Sequence, residues 1–262
     1  DCYYSIGERH IYYNATNDDY IRGVADNDNF DWKKLSNLDS RADLDCDPRQ
    51  PLELSVDWGS KIAVFSVGQE RNFDFVTKLL RKTDNMINEF FVKPQEESDV
   101  MINAIVDKFC DYYQYHACKR LIFYRDKYGD AKRPDNKKTY NEQAIDRFLA
   151  RGWTVEQRTH KGMEPPQHDK YLLWAYTLKE TDTRYTPIRF NGSKCKYTLI
   201  SMNNTRVIEG SDGKFKKDKT SERRKSVLPE EATHFGDAVD KRIWIKYNHL
   251  LRRSWGFVDP ML

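Results

Sequence analysis

The stretch that decides the fold is Leu52-Glu-Leu-Ser-Val-Asp-Trp-Gly59, in which apolar and polar residues alternate. In an extended strand its leucines and valine point to one face, whereas Glu53, Ser55 and Asp57 point to the other. The closing glycine permits a turn into a second apolar segment at 62–67, and we predict a third strand over 73–80. These three segments predict an antiparallel meander.

Helical and extended patterns alternate after the meander. Apolar residues three and four apart predict a long helix that begins near Ser98, and the apolar run 121–124 predicts a fourth strand. A second helix over 140–151, a fifth strand over 153–157 and a third helix opened by Pro165-Pro166 follow. Because crossover connections are right-handed, the fourth and fifth strands should be parallel to the first. We therefore predict an α/β fold with a mixed sheet of five or more strands and helices on both faces.

Charge is distributed unevenly along the 262 residues. Residues 1–50 carry a net charge of −5, and residues 51–262 carry +8. We predict an irregular, acidic N-terminal arm over 1–50, followed by one basic domain over 51–262. The five cysteines have no Cys-x-x-Cys spacing, which argues against a disulfide framework and against a zinc site.

Three aspartates stand where buried segments end. Asp57 closes the first strand, Asp126 follows the apolar run of the fourth, and Asp237 lies at the start of a last helix that begins near Thr233. On that helix Asp237 lies about 200 degrees around the axis from Phe235, so it faces away from the apolar stripe. Carboxylates that converge at one edge of a sheet are typical of a site for divalent metal ions.

The sequence around these acids resembles the C-terminal nuclease domain of bacteriophage terminase large subunits, which has a ribonuclease H-like fold. The resemblance extends from about residue 29 to about residue 250 and is most specific at 52–59 and 232–240. It implies an endodeoxyribonuclease that cuts double-stranded viral DNA during genome packaging. It also implies that Asp57, Asp126 and Asp237 bind two Mg²⁺ or Mn²⁺ ions and are the catalytic acids.

Two further acids leave the ligand set open. Asp130 follows a glycine that could turn it toward the site, and it competes with Asp126 for the second position. We prefer Asp126 because the apolar run ends at this residue. Asp240 lies one helical turn after Asp237, where it could supply a fourth carboxylate or be a solvated charge.

Two basic segments are candidate contacts for the DNA backbone. Residues 211–225 carry a net charge of +4, which predicts a loop or hairpin that binds phosphates by charge, although a solvated, mobile loop is the alternative. Residues 119–138 carry +5 around the second acid. The candidate DNA-binding residues are Lys214, Lys216, Lys217, Lys219, Arg223, Arg224, Lys132 and Arg133.

The family resemblance also implies partners. The chain has no Gly-x4-Gly-Lys-Ser/Thr phosphate-binding motif, so we expect the ATPase motor domain elsewhere in the full-length protein, together with a portal and a small terminase subunit. No apolar run is long enough to cross a bilayer, so we expect no membrane association and a soluble protein of the host-cell cytoplasm. The alternatives are a Holliday-junction-type recombination nuclease of the same fold and a DNA-binding scaffold that does not cut.

Overall fold

The computed structural model describes Tyr13 and residues 39–94, 98–130, 138–160, 164–180 and 182–255. The rest of the predicted arm, and Lys132 and Arg133, lie outside the described residues. Within the described part the centre of the fold is one six-stranded sheet. Its strands are β1 (Leu52–Trp58), β2 (Ala63–Arg71), β3 (Thr83–Val92), β4 (Arg120–Tyr124), β5 (Thr154–Arg158) and β6 (Ile188–Phe190).

The strand order across the sheet is β5-β4-β1-β2-β3-β6. The first three strands pair antiparallel, while β4 is parallel to β1, β5 to β4, and β6 to β3. An antiparallel meander with two added parallel strands is therefore confirmed, although its third strand lies further along the chain than predicted. The sheet is therefore mixed, as predicted, and β6 adds a sixth strand at the β3 edge.

In the described part of the chain, five α-helices accompany the sheet: α1 (Ser98–Tyr112), α2 (Tyr140–Ala150), α3 (Gln167–Lys179), α4 (Lys196–Asn204) and α5 (His234–Trp255). A small hairpin of β7 (Val207–Glu209) and β8 (Phe215–Lys217) lies between α4 and α5. Local sequence explains the ends of α2, because Thr139 and Glu142 form a capping box at its start. Gly152, just after its end, has a positive φ of 80°, a conformation that glycine adopts easily.

Apolar and polar residues alternate in β1, so its two faces contact different layers of helices. Its apolar side chains pack in one core with residues of α1 and α2, such as Ile105 and Phe148. On the other face, α5 packs with α3 and α4 around Val239 and Ile243. Helices on both faces are therefore confirmed, and the polar face of β1 is turned toward α5. No helix of the described residues has both the length and the apolar character that crossing a membrane requires.

The predicted third strand over 73–80 is wrong. Asp74 accepts hydrogen bonds from the backbone N–H groups of Val76 and Thr77, which hold a turn, and β3 begins only at Thr83. An aspartate that bonds to backbone N–H groups two and three residues ahead stabilises a turn even between apolar residues. Strand β6 and helix α4 were not predicted from the sequence.

Candidate active site

The acids of three separate elements meet at one end of the sheet. Asp57 is the penultimate residue of β1, and Asp126 follows β4, which is the parallel neighbour of β1. Asp237 comes from the first turn of α5, which crosses the polar face of β1. Asp57, Asp237 and Asp240 line a cleft of about 340 Å³, and Asp126 adjoins it through a shared partner. Asp57 and Asp237 therefore lie on the same side of the molecule.

Lys241 of α5 joins the first two acids. Its ammonium group lies 2.7 Å from Asp57 Oδ1 and 2.9 Å from Asp126 Oδ2. The other oxygen of Asp57 lies 2.9 Å from His234 Nδ1. The side chain of Asp126 is only 4% exposed, and its Oδ1 accepts a hydrogen bond from the backbone N–H of Tyr128 at 3.1 Å. Asp57 and Asp126 are thus neighbours in space that share one cation.

A second lysine joins Asp237 and Asp240. Lys217 Nζ lies 2.6 Å from Asp237 Oδ1 and 2.6 Å from Asp240 Oδ2. Lys219 pairs with the other oxygen of Asp237, and the indole N–H of Trp174 donates to Asp240 Oδ1 at 2.8 Å. Asp240 is therefore a buried member of the cluster and not a solvated charge.

The surrounding cations shift several pKa values. Burial is the largest single influence on Asp57 and favours its protonated form, but Lys241 and His234 together outweigh burial and lower the pKa of Asp57 below its usual value. In the same way, burial of Asp237 is outweighed by Lys217 and Lys219, which lower its pKa to about 2. Burial disfavours the charged form of His234, yet its hydrogen bond to Asp57 raises its pKa above the ordinary value. The carboxyl groups of Asp57 and Asp237 are therefore ionised at neutral pH.

The donor set has the right chemistry for Mg²⁺ or Mn²⁺, which prefer carboxylate and carbonyl oxygens. Among the described residues, however, no group of three or more Asp, Glu, His or Cys side chains is arranged to hold a metal ion. The structure does contain one position for a cation, because the carboxylates of Asp57 and Asp126 both contact the ammonium group of Lys241. The oxygens of Asp57 and Asp126 are of the kind that a divalent ion takes, and Asp237 lines the same cleft as Asp57.

Asp130 lies in a different environment. It accepts a hydrogen bond from Asn141 Nδ2 at 2.8 Å and pairs with Arg125 at 3.0 Å, in a separate cavity of about 410 Å³. The glycine before it does not turn Asp130 toward the cleft. A Cβ on Gly129 would lie only 2.3 Å from the indole of Trp58, so this glycine allows close packing.

The basic hairpin has two different faces. Because strand residues alternate, Lys216 of β8 is exposed, whereas Lys217 points inward and is only 5% exposed. This burial argues against direct DNA contact by Lys217, since its ammonium is enclosed by Asp237 and Asp240. The remaining described candidates are exposed on this segment: Lys214, Lys216, Lys219, Arg223 and Arg224.

Two parts of the cluster, Lys241 and Tyr13, were not predicted from the sequence. Lys241 follows Asp237 by four residues on one helix, and this spacing was a signal that both face the same way. Tyr13 is fully buried, packs edge-on against Trp174 with ring centroids 5.3 Å apart, and accepts a hydrogen bond from Lys217. Nothing in the arm's sequence indicated that contact.

No protein-family model matches the sequence, and a comparison with curated proteins gives no match either. Similar solved structures include the large terminase nuclease of thermophilic phage G20c with bound magnesium, which is 11% identical with a TM-score of 0.40 over 76% of this chain and 83% of that chain. The large terminase nuclease domain of bacteriophage SPP1 with bound Mn is 13% identical, with a TM-score of 0.40 over 73% of this chain and 84% of that chain. The large terminase of bacteriophage HK97 is 10% identical, with a TM-score of 0.43 over 76% of this chain and 40% of that chain. The chain is thus similar to large terminase nuclease domains over about three quarters of its length.

Proposed function

We propose that this chain is a metal-dependent endonuclease that cuts double-stranded DNA, with Asp57, Asp126 and Asp237 as its metal ligands. One observation carries the proposal: acids from β1, the end of β4 and α5 lie around one cleft, each bound to a buried or half-buried cation. The low pKa values of Asp57 and Asp237 keep both side chains anionic at neutral pH. Anionic oxygen ligands are what Mg²⁺ and Mn²⁺ require.

The chemistry that bound divalent ions would supply follows from general principles of metal catalysis. Divalent ions held by Asp57, Asp126 and Asp237 would activate water and would stabilise the leaving oxygen of a phosphodiester. The protein's own residues hold these acids in place: His234 fixes one oxygen of Asp57, and Trp174 fixes one oxygen of Asp240. Hydrogen bonds of this kind orient carboxylates that bind metal.

We propose that the exposed basic residues of segment 211–225, which reaches the cleft at Lys219, bind the duplex. The side chain of Lys219 is 43% exposed beside Asp237, and Lys216, Arg223 and Arg224 continue the exposed charge along the same segment. Such contacts bind backbone phosphates without reading bases. We therefore propose cleavage with little sequence preference.

The packaging role belongs to the same proposal. The structures to which this chain is similar are large terminases, so we propose that the nuclease acts on viral DNA during genome packaging. Its partners there would be an ATPase motor domain, a portal and a small terminase subunit, and its location the host-cell cytoplasm.

A supercoiled-plasmid assay tests the activity. The wild-type chain should nick and linearise plasmid with Mg²⁺ or Mn²⁺ but not with EDTA. Asp57→Asn should lower the rate at least about 100-fold while the circular dichroism spectrum stays unchanged, because the amide cannot supply an anionic ligand. Nicking by Asp57→Asn at the wild-type rate would remove Asp57 from the site.

One observation favours the non-cleaving scaffold as a second candidate. Both oxygens of Asp57 and both oxygens of Asp237 already bind donor groups of the protein itself. A scaffold would bind duplex DNA with an affinity that falls as salt rises, and it would show no cleavage with Mg²⁺, Mn²⁺ or Co²⁺.

A further inference from the structure

Lys241 has the surroundings of a bound ion. An ammonium group has three N–H donors, and that of Lys241 lies near three oxygens: Asp57 Oδ1 at 2.7 Å, Asp126 Oδ2 at 2.9 Å and the carbonyl of Val56 at 3.0 Å. Its side chain is only 14% exposed, and it lines the cleft. All three donors are therefore used inside the site.

The two carboxylates need a cation at this point. Asp57 and Asp126 are 17% and 4% exposed, so water does little to reduce the repulsion between their charges. Two carboxylates and a backbone carbonyl are also the oxygen ligands that a hard divalent ion takes. The ammonium and a metal ion would thus compete for the same oxygens.

We propose that Lys241 occupies the cation position of Asp57 and Asp126 in the metal-free protein, and that a divalent ion must displace its ammonium group in order to bind. Lys241 therefore sets the metal affinity of the site. This inference rests on the proposed function, because it takes the acids to be metal ligands.

Lys170 provides a matched control. It lines the same cleft, its side chain is 11% exposed, and its ammonium pairs with Glu164 at 2.7 Å. Glu164 is not among the candidate ligands. Removal of Lys170 therefore takes one positive charge from the cleft and leaves the contacts of Asp57 and Asp126 intact.

The first experiment measures Mn²⁺ binding by isothermal titration calorimetry on the 262-residue chain. Lys241→Met should bind Mn²⁺ at least about tenfold more tightly than the wild type, because the competing ammonium is gone. Lys170→Met should differ from the wild type by less than about threefold, since general cleft charge contributes little. Unchanged or weaker Mn²⁺ binding by Lys241→Met would overturn the inference.

A second measurement uses the wild-type protein, so it does not depend on whether Lys241→Met folds. Acetylation of lysine amines, followed by mass spectrometry, reports which ammonium groups are accessible. Saturating Mn²⁺ should raise the labelling rate of Lys241 about fivefold or more, because its partners are then bound to metal. Lys246, which pairs with Glu53, Glu70 and Asp84 in a buried cluster, serves as an internal reference and should not change.

The outcomes separate this inference from the proposed function. Suppose that the wild type binds Mn²⁺ and cuts DNA, but Lys241→Met does not bind Mn²⁺ more tightly and Mn²⁺ does not raise the labelling rate of Lys241. Then only the displacement of Lys241 is wrong. If the wild type neither binds Mn²⁺ nor cuts DNA, the proposed function and this inference both fail.

Discussion

Asn141 donates a hydrogen bond to Asp130 at 2.8 Å, and this contact lies in a cavity separate from the cleft that Asp57 lines. The second amide hydrogen bond of Asn141, to the backbone carbonyl of Asp126 at 2.6 Å, fixes the turn between the two acids. One side chain therefore holds Asp126 and Asp130 in different environments. This geometry favours Asp126 as the second ligand.

Substitution of the two acids should separate their roles. Asp126→Asn should lower Mn²⁺-dependent plasmid nicking at least about 100-fold, because an anionic ligand is lost beside Asp57. Asp130→Asn should keep nicking within about threefold of the wild type, since its contacts are with Arg125 and Asn141. Equal losses in the two variants, with unchanged thermal stability, would contradict the assignment.

A buried ion cluster should stabilise α5 against the sheet. Arg242 is fully buried and donates to Glu53 at 2.8 Å and to Asp84. Arg242→Met would remove the guanidinium that these buried carboxylates share and leave Lys246 as their remaining cation, so the free energy of unfolding in urea should fall by about 3–5 kcal/mol. The control is Arg184→Met, which breaks an exposed pair with Asp182 and should cost less than about 1 kcal/mol. Similar losses for both variants would show that burial of the Arg242 cluster does not matter.

Asp45 should make stability depend on pH. It is 2% exposed, and burial raises its pKa from 3.8 to about 7, although a hydrogen bond from Asn191 opposes the shift. Between pH 4 and 7 the folded state therefore binds more protons at this group than the unfolded state, so its contribution to the free energy of unfolding falls as pH rises.

The comparison with Asp45→Asn isolates that contribution. From pH 4 to 7 the wild type should lose stability relative to the variant by up to about 1.4 kcal/mol per pH unit. Urea unfolding at several pH values measures the difference. Parallel stability profiles for the two proteins would show that the pKa of Asp45 is not raised.

The exposed basic residues of segment 211–225 should carry part of the DNA affinity. Lys216→Gln and Arg224→Gln should each reduce the slope of log K against log salt for a short duplex by about one, because each removes one phosphate contact. Fluorescence anisotropy at several salt concentrations measures the slope. Lys82→Gln is the control, since this 54%-exposed lysine precedes β3 at the opposite end of the sheet. An equal change in the control would mean that only net charge matters.

Much of the fold was accessible from periodicity. The alternation in 52–58 and the helical spacing after Ser98 specify which face is buried, and both predictions were confirmed. The segment 73–80 was not accessible in this way, because its apolar residues fit a strand while Asp74 stabilises a turn through hydrogen bonds. Composition alone does not decide between a strand and a turn in this segment.

The sequence pattern indicated the candidate acids, but it did not indicate most of the residues that bind them. Asp57, Asp126 and Asp237 end apolar segments, and the strand order places the ends of β1 and β4 side by side. For Lys241, the only signal in the sequence is its helical spacing from Asp237. Its contacts with Asp57 and Asp126 depend on how α5 crosses β1. Contacts between distant elements, such as that of Tyr13 with Lys217, require the tertiary structure.

A crystal of the wild-type chain soaked in Mn²⁺ tests the central claim most directly. Anomalous difference density should show manganese bound by the carboxylates of Asp57 and Asp126 in the cleft that Asp237 lines, with the ammonium of Lys241 moved away from both. Manganese found only at other sites, with Lys241 still bound to Asp57 and Asp126, would contradict the account.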